Sequence, residues 1–189
     1  CEKVVPYVDM PLQHISDPML RRMNRGRPRR FVEKLLDDIR GAIPGVTLRT
    51  SFIVGFPGET DADFEELCAF VQDQDFERVG AFKFSREEGT PSFDMASQVE
   101  PEVVDARHDH LMRILRDKSR DKMAEYEGRR LEVLVDGVSE ETELLLEGRH
   151  SGQAPEVDGT IYLNDGQELA KAGDIVEVTI TETHDYDLV

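Results

Sequence analysis

The sequence predicts an α/β domain with a parallel sheet, followed by a small antiparallel β-barrel. Three observations carry that reading. Strand-like and helix-like segments alternate through residues 1–125, the pattern of βαβ units. After Gly128 the helical period gives way to short alternating apolar segments separated by Gly-containing turns. The charge shifts at the same place: residues 1–125 hold 19 Lys and Arg against 24 Asp and Glu, and residues 126–189 hold 4 against 16. Two domains are therefore expected, 1–125 and 126–189.

Val4–Met10 reads as the first strand, and Pro18–Asn24 as a short helix that Ser16 or Asp17 can cap. Phe31–Ile43 is a longer helix, with Phe31, Leu35, Ile39 and Ala42 on a helical repeat that stops before Pro44-Gly45. Leu48–Val54 is the second strand; it ends at Gly55 and turns through Phe56-Pro57-Gly58. Thr60 then caps a helix over Asp61–Gln74 whose stripe is Phe64, Leu67, Cys68 and Val71. Val79–Phe84 is the third strand, and a long helix follows over Pro101–Tyr126. Beyond it Leu131–Asp136 alternates like a strand, and Asp136-Gly137 signals a hairpin. Further strands are expected at Leu144–Glu147, Thr160–Leu163 and Ile175–Thr183, with turns at Asp158-Gly159 and Asp165-Gly166.

Bulk composition excludes several classes. A chain of 189 residues, 39% hydrophobic, can build one large or two small cores. No apolar run reaches membrane-spanning length, and no signal peptide is visible. Two cysteines, Cys1 and Cys68, are too few for a disulfide framework or a cysteine-rich metal site, which fits a reducing cytosol. A net charge of −17 argues against an isolated nucleic-acid binder, whose affinity rests on Lys and Arg, and against an anionic membrane surface. Most such acid is solvated surface, and its sharper reading is a dock for a basic partner. The one basic cluster, Arg21, Arg22, Arg25, Arg27, Arg29 and Arg30, reads first as solvated surface and second as a phosphate contact. His108 and His110 stand two apart, so they do not share a helix face and form no metal site.

Three stretches match one family. Gly55-Phe56-Pro57-Gly58-Glu59-Thr60 resembles the loop after the fifth strand of radical S-adenosylmethionine (SAM) methylthiotransferases. Pro11-Leu12-Gln13-His14-Ile15-Ser16, with the strand before it, resembles the branch that modifies an aspartate of small-subunit ribosomal protein S-twelve. Arg78–Pro91 resembles the family's sixth strand and exit loop, and residues 126–189 resemble a TRAM domain, an OB-like five-stranded barrel that recognises substrate. The resemblance implies strands four to six of a partial (βα)6 barrel, its C-terminal half, followed by TRAM. It also implies a CxxxCxxC triad for one 4Fe-4S cluster and a separate N-terminal domain for a second. This sequence has no such triad, and cluster ligation needs thiolates. The chain is accordingly expected to be the C-terminal part of a longer enzyme and inactive alone, with no catalytic residue or metal ligand of its own.

By the same resemblance the SAM pocket would draw on Gln13 and His14, on Thr50 and Ser51, and on Val54 and Gly55 beside the adenine. The plainer readings are a hydrogen-bonded His14 at a strand end and a Val54–Gly55 that is ordinary core. Lys83 either meets a carboxylate or faces solvent, and solvent is the expectation. Cys68 is expected in the core. Substrate docking is assigned to the acidic face of 126–189, for example Glu132, Asp136 and Glu177.

The expected function is addition of a methylthio group to the β-carbon of an aspartate in ribosomal protein S-twelve. By the same resemblance, SAM and two 4Fe-4S clusters would be the cofactors of the intact enzyme, expected to be cytoplasmic. Its partners would be S-twelve and the small ribosomal subunit, with no membrane and no nucleic acid held by TRAM. A tRNA adenosine methylthiotransferase shares the GFPGET wording, and a non-catalytic dock for basic proteins would also lack the triad. The acidic TRAM segment and Pro-Leu-Gln-His favour the first reading.

Overall fold

A computed structural model describes residues 3–140, 142–164 and 170–189. In chain order it contains β1 (Tyr7–Asp9), α1 (Asp17–Arg22), α2 (Arg29–Ala42), β2 (Thr47–Val54), α3 (Asp61–Asp73), β3 (Arg78–Lys83) and α4 (Pro101–Ala124). Four strands follow: β4 (Arg130–Val138), β5 (Leu146–Arg149), β6 (Ile161–Leu163) and β7 (Ile175–Thr179). The chain divides into two compact units, Val8–Leu115 and Arg116–Val189, the second joined by the residues before Val8. Among the described residues no helix is long and apolar enough to cross a membrane.

The first unit is α/β. Its sheet runs β1-β2-β3, with β2 and β3 parallel in the register Thr50↔Val79 and Val54↔Lys83. Strand β2 is buried at six of its eight positions, as a central parallel strand covered on both faces should be. Phe52 lies at the middle of the core and meets Phe70 and Phe76 edge-on, each with ring centroids 6.3 Å apart. Leu67, Cys68 and Val71 of α3 face this core as their spacing implies, with Phe64 packed at its edge.

Three expectations need correction here. Strand β1 is only three residues long; Val4 and Val5 are exposed, and Pro6 has no N–H to give a ladder. In α2 the buried positions are Val32 and Leu36, with Ile39 partly buried, rather than a stripe through Phe31 and Leu35. Phe31 instead lies under the Arg27 guanidinium, 4.7 Å from its ring centroid. Third, Ser16 occupies the cap position of α1, but its side chain makes no capping bond. Asp17 accepts from the Arg29 amide and so caps α2 instead.

The second unit carries a four-stranded antiparallel sheet in the order β6-β5-β4-β7. Val133, Val135, Leu146, Ile161, Ile180 and Leu188 fill its core, and Met123 from the last turn of α4 joins them. The Asp136-Gly137 pair is not a hairpin turn. It lies inside β4, where the register against β5 shifts between Val135 and Gly137 as at a bulge. Strand β7 stops at Thr179, after which Ile180 turns into the core and its carbonyl accepts from Gly128. Leu188 bridges Ile161 and Thr183, so the last residues close against the sheet. Asp158 and Gly159 fall in the connection before β6, and the turn expected at Asp165-Gly166 lies outside the described residues.

Candidate functional site

The C-terminal edge of the parallel sheet gathers the residues singled out in the sequence. Gln13 follows β1 and bridges Phe52; its amide donates to Ser51 O and its carbonyl accepts from Ile53, at 2.9 and 2.8 Å. Those two bonds hold it at φ 71°, a left-handed conformation that a non-glycine residue adopts at a cost of about 1–3 kcal/mol. Strain retained in this way is characteristic of ligand sites. A cavity of about 630 Å³ opens beside it, lined by Gln13, Arg22, Arg25, Ile53, Phe56 and Phe84 among others.

The β2–α3 loop forms the next wall. Gly55 sits at φ 78° with its α-carbon against Val104, where a Cβ would come within 2.5 Å of a methyl group. It also borders a second cavity of about 430 Å³, with Lys83, Gln98 and Asp105. Thr60 caps α3 through a capping box with Asp63, which fixes where the loop ends.

Beneath the loop lies a buried charged network. The Glu59 side chain is 0% exposed and still has three donors. Its Oε1 lies 3.2 Å from His14 Nε2, while Oε2 accepts from the Gly55 amide at 2.5 Å and from Arg107 Nη1 at 2.9 Å. Arg107 also donates to Asp61 at 2.6 Å and stacks over Phe64. The Ser16 amide donates to His14 Nδ1 at 3.1 Å, so the other ring nitrogen carries the proton that Glu59 receives. Both ring nitrogens of His14 are thus engaged, which fixes the orientation of the ring. Ser16 and Thr60 hydroxyls donate to Asp63. Burial pushes the Asp63 carboxyl upward, but these bonds outweigh it and hold it below the ordinary carboxylate value.

Of the six candidate pocket residues, Gln13 and Gly55 border cavities and the other four stand behind them. His14 is enclosed by Glu59 and Ser16. Thr50 is buried, donating to Met10 O at 2.9 Å and accepting from Leu12 N at 3.2 Å. Ser51 and Val54 are buried in β2. Lys83 is exposed, as expected, and pairs with Asp105 at 2.7 Å. Cys68 is buried; burial first, then Glu59 and Glu65, push its thiol up to about 11. His108 meets Ala81 O and His110 meets the Phe64 ring, and among the described residues no group of three His, Cys, Asp or Glu could hold a metal ion. With two cysteines in the sequence and Cys68 in the core, the residues present do not fit an iron–sulfur cluster.

Sequence reasoning missed Glu59, Arg107 and Asp63 as the frame of this edge. Glu59 belongs to the GFPGET wording, yet nothing in the pattern of residues marks that carboxylate as buried. Arg107 lies in a polar helix whose charged residues look alike.

In the second unit, Glu132 and Glu177 are exposed and directly opposite one another in the β4–β7 register. Facing like charges of this kind are destabilising unless a cation or partner compensates. Arg130 reaches Glu177 at 3.3 Å, and Arg149 pairs with Asp136.

Comparison with known proteins finds two family matches. The radical SAM superfamily profile matches residues 2–71, and the TRAM domain profile matches residues 128–189. Proteins named ribosomal protein uS12 methylthiotransferase RimO are 54% identical in Anaeromyxobacter sp. (strain K) and 50% identical in Myxococcus xanthus, each over 99% of this chain. A third, from Bdellovibrio bacteriovorus, is 50% identical, again over 99% of the chain. The chain spans 39%, 39% and 40% of those relatives. Carrying a radical SAM superfamily segment and a TRAM domain, this chain is a homologue of the ribosomal protein uS12 methylthiotransferases named RimO.

Proposed function

We propose that this chain supplies part of the SAM pocket and the substrate dock of a methylthiotransferase acting on an aspartate of ribosomal protein S-twelve. The observation that carries the reading is identity of 50% or more along 99% of the chain to relatives so named. The three parallel strands are read as strands four to six of a partial (βα)6 barrel. The antiparallel sheet is read as the OB-like TRAM barrel, with the domain division at 125/126.

Gln13 and Gly55 would touch SAM directly. Thr50, Ser51 and Val54 would form the floor, and His14 would set the path of the Gln13 segment. The support is chemical: a carboxamide offers both donor and acceptor to a polar ligand, and a glycine lets the backbone approach it closely. When bound, SAM supplies the reactive group, and the chain's own residues orient it and exclude water. Iron–sulfur clusters, which the family implies, have no ligand set here, so no step is derived through them.

Docking falls to the acidic strands, with Glu132, Asp136 and Glu177 facing solvent and a basic substrate protein as the complementary partner. The test is binding of the 189-residue chain to purified S-twelve and to a tRNA anticodon stem-loop at two salt concentrations. Salt-sensitive binding to the protein alone is expected. Binding to the stem-loop alone overturns the assignment.

A further inference from the structure

The cavity beside Gln13 is cationic in a strongly acidic chain. Arg22, Arg25 and Lys83 line it, and no carboxylate is among its described lining residues. Ile53, Phe56, Phe84 and Met95 make the remainder largely apolar. The three cations differ in what holds them. Lys83 is neutralised by Asp105 at 2.7 Å. Arg22 and Arg25 instead donate to backbone carbonyls, those of Pro57 and Pro11. A carbonyl anchors a guanidinium without cancelling its charge.

Arg22 is the better anchored. Its Nε donates to Pro57 O at 2.9 Å, and its guanidinium lies against Gly58, where a Cβ would come within 2.7 Å of Cζ. Gly58, at φ 85°, therefore gives the arginine its seat. Anchoring through Nε leaves the two-pronged Nη edge, the geometry that receives a carboxylate in paired hydrogen bonds.

We propose that this cavity recognises the acidic side chain of a bound peptide, with Arg22 as the specificity-determining residue and Arg25 in support. The inference rests on the methylthiotransferase reading and adds how the target would be selected. Acidic strands attract the basic body of a partner, and the cationic cavity accepts one carboxylate from it. An asparagine or a neutral base has the wrong charge for the same seat.

The test is an NMR titration of the ¹⁵N-labelled 189-residue chain with N-acetyl-aspartyl-N-methylamide, its asparagine counterpart, and SAM. The aspartyl probe should shift the Gln13 and Ser85 amides and bind about tenfold more tightly than the asparaginyl probe, as a charged hydrogen bond at an open site implies. Arg22→Gln should abolish that preference without changing asparaginyl binding, and Arg22→Lys should restore part of it. Unshifted amides elsewhere report that each variant is folded. Equal binding of the two probes, or a preference that survives Arg22→Gln, overturns the proposal. So does SAM displacing the aspartyl probe with a dependence on Arg22, since the carboxylate seated there would then be the cofactor's. A parallel titration with S-twelve separates the two claims. S-twelve binding without aspartyl preference sinks only the cavity proposal, whereas aspartyl preference without S-twelve binding sinks the methylthiotransferase reading.

Discussion

Replacing Glu59 by glutamine should destabilise the α/β unit strongly, although the change is nearly isosteric. The carboxylate accepts from three donors at once: His14 Nε2, the Gly55 amide and Arg107 Nη1. A carboxamide has one oxygen for these, and its NH2 must face a donor whichever way it turns. His14 cannot adapt by switching tautomer, because its Nδ1 already accepts from Ser16. Arg107, with its side chain only 8% exposed, would lose its buried partner and keep Asp61 and the Glu59 carbonyl. Breaking a buried pair costs about 3–5 kcal/mol, and the remaining partners place this case near 3 kcal/mol. In a unit of this size that is a fall of about 10 °C or more in Tm. Thermal unfolding followed by circular dichroism measures it. A double-mutant cycle with Arg107→Gln should show coupling of at least about 1 kcal/mol. A Glu59→Gln variant within about 1 kcal/mol of the parent would refute the reasoning, because the charge would then have no part in holding the loop.

Asp63 titrates below its ordinary value in the folded chain. Its contribution is therefore present above the unfolded pKa and lost as pH falls through the folded one. Asp63→Asn should flatten the acid limb of a stability–pH profile below about pH 4. Cys68 has the opposite sign of dependence. With its thiol raised from 9.0 to about 11, its contribution is complete below pH 9 and lost as pH rises through about 11. At neutral pH an alkylating reagent should label it only in denaturant, and rapid labelling of the folded chain would contradict its burial. Thr60→Ala removes the hydroxyl half of the α3 capping box, leaving the residue-60 amide on Asp63, and should cost about 1 kcal/mol in urea unfolding.

The order of elements was legible because periodicity and punctuation agree in most of them. Thr60 announces α3, and Leu67, Cys68 and Val71 lie on the face that the pattern marks. Errors arose where tertiary contacts override local signals. Asp136-Gly137 is a strong hairpin dipeptide, yet β5 pairs across it and turns the pair into a strand irregularity. Phe31 is apolar at helical spacing, yet an arginine covers it at the surface. The candidate site was legible mainly as wording: GFPGET and Pro-Leu-Gln-His fall at one edge of the sheet, where Gln13 and Gly55 meet cavities. The Glu59–His14–Arg107 network was not legible, because its members come from three separate segments and only the fold brings them together.

The most direct test of the central claim is mass spectrometry of S-twelve from cells lacking the gene for this chain. The account predicts that an aspartate-containing peptide loses a methylthio group and regains it when the gene is restored. An S-twelve that is modified equally in both strains would contradict it.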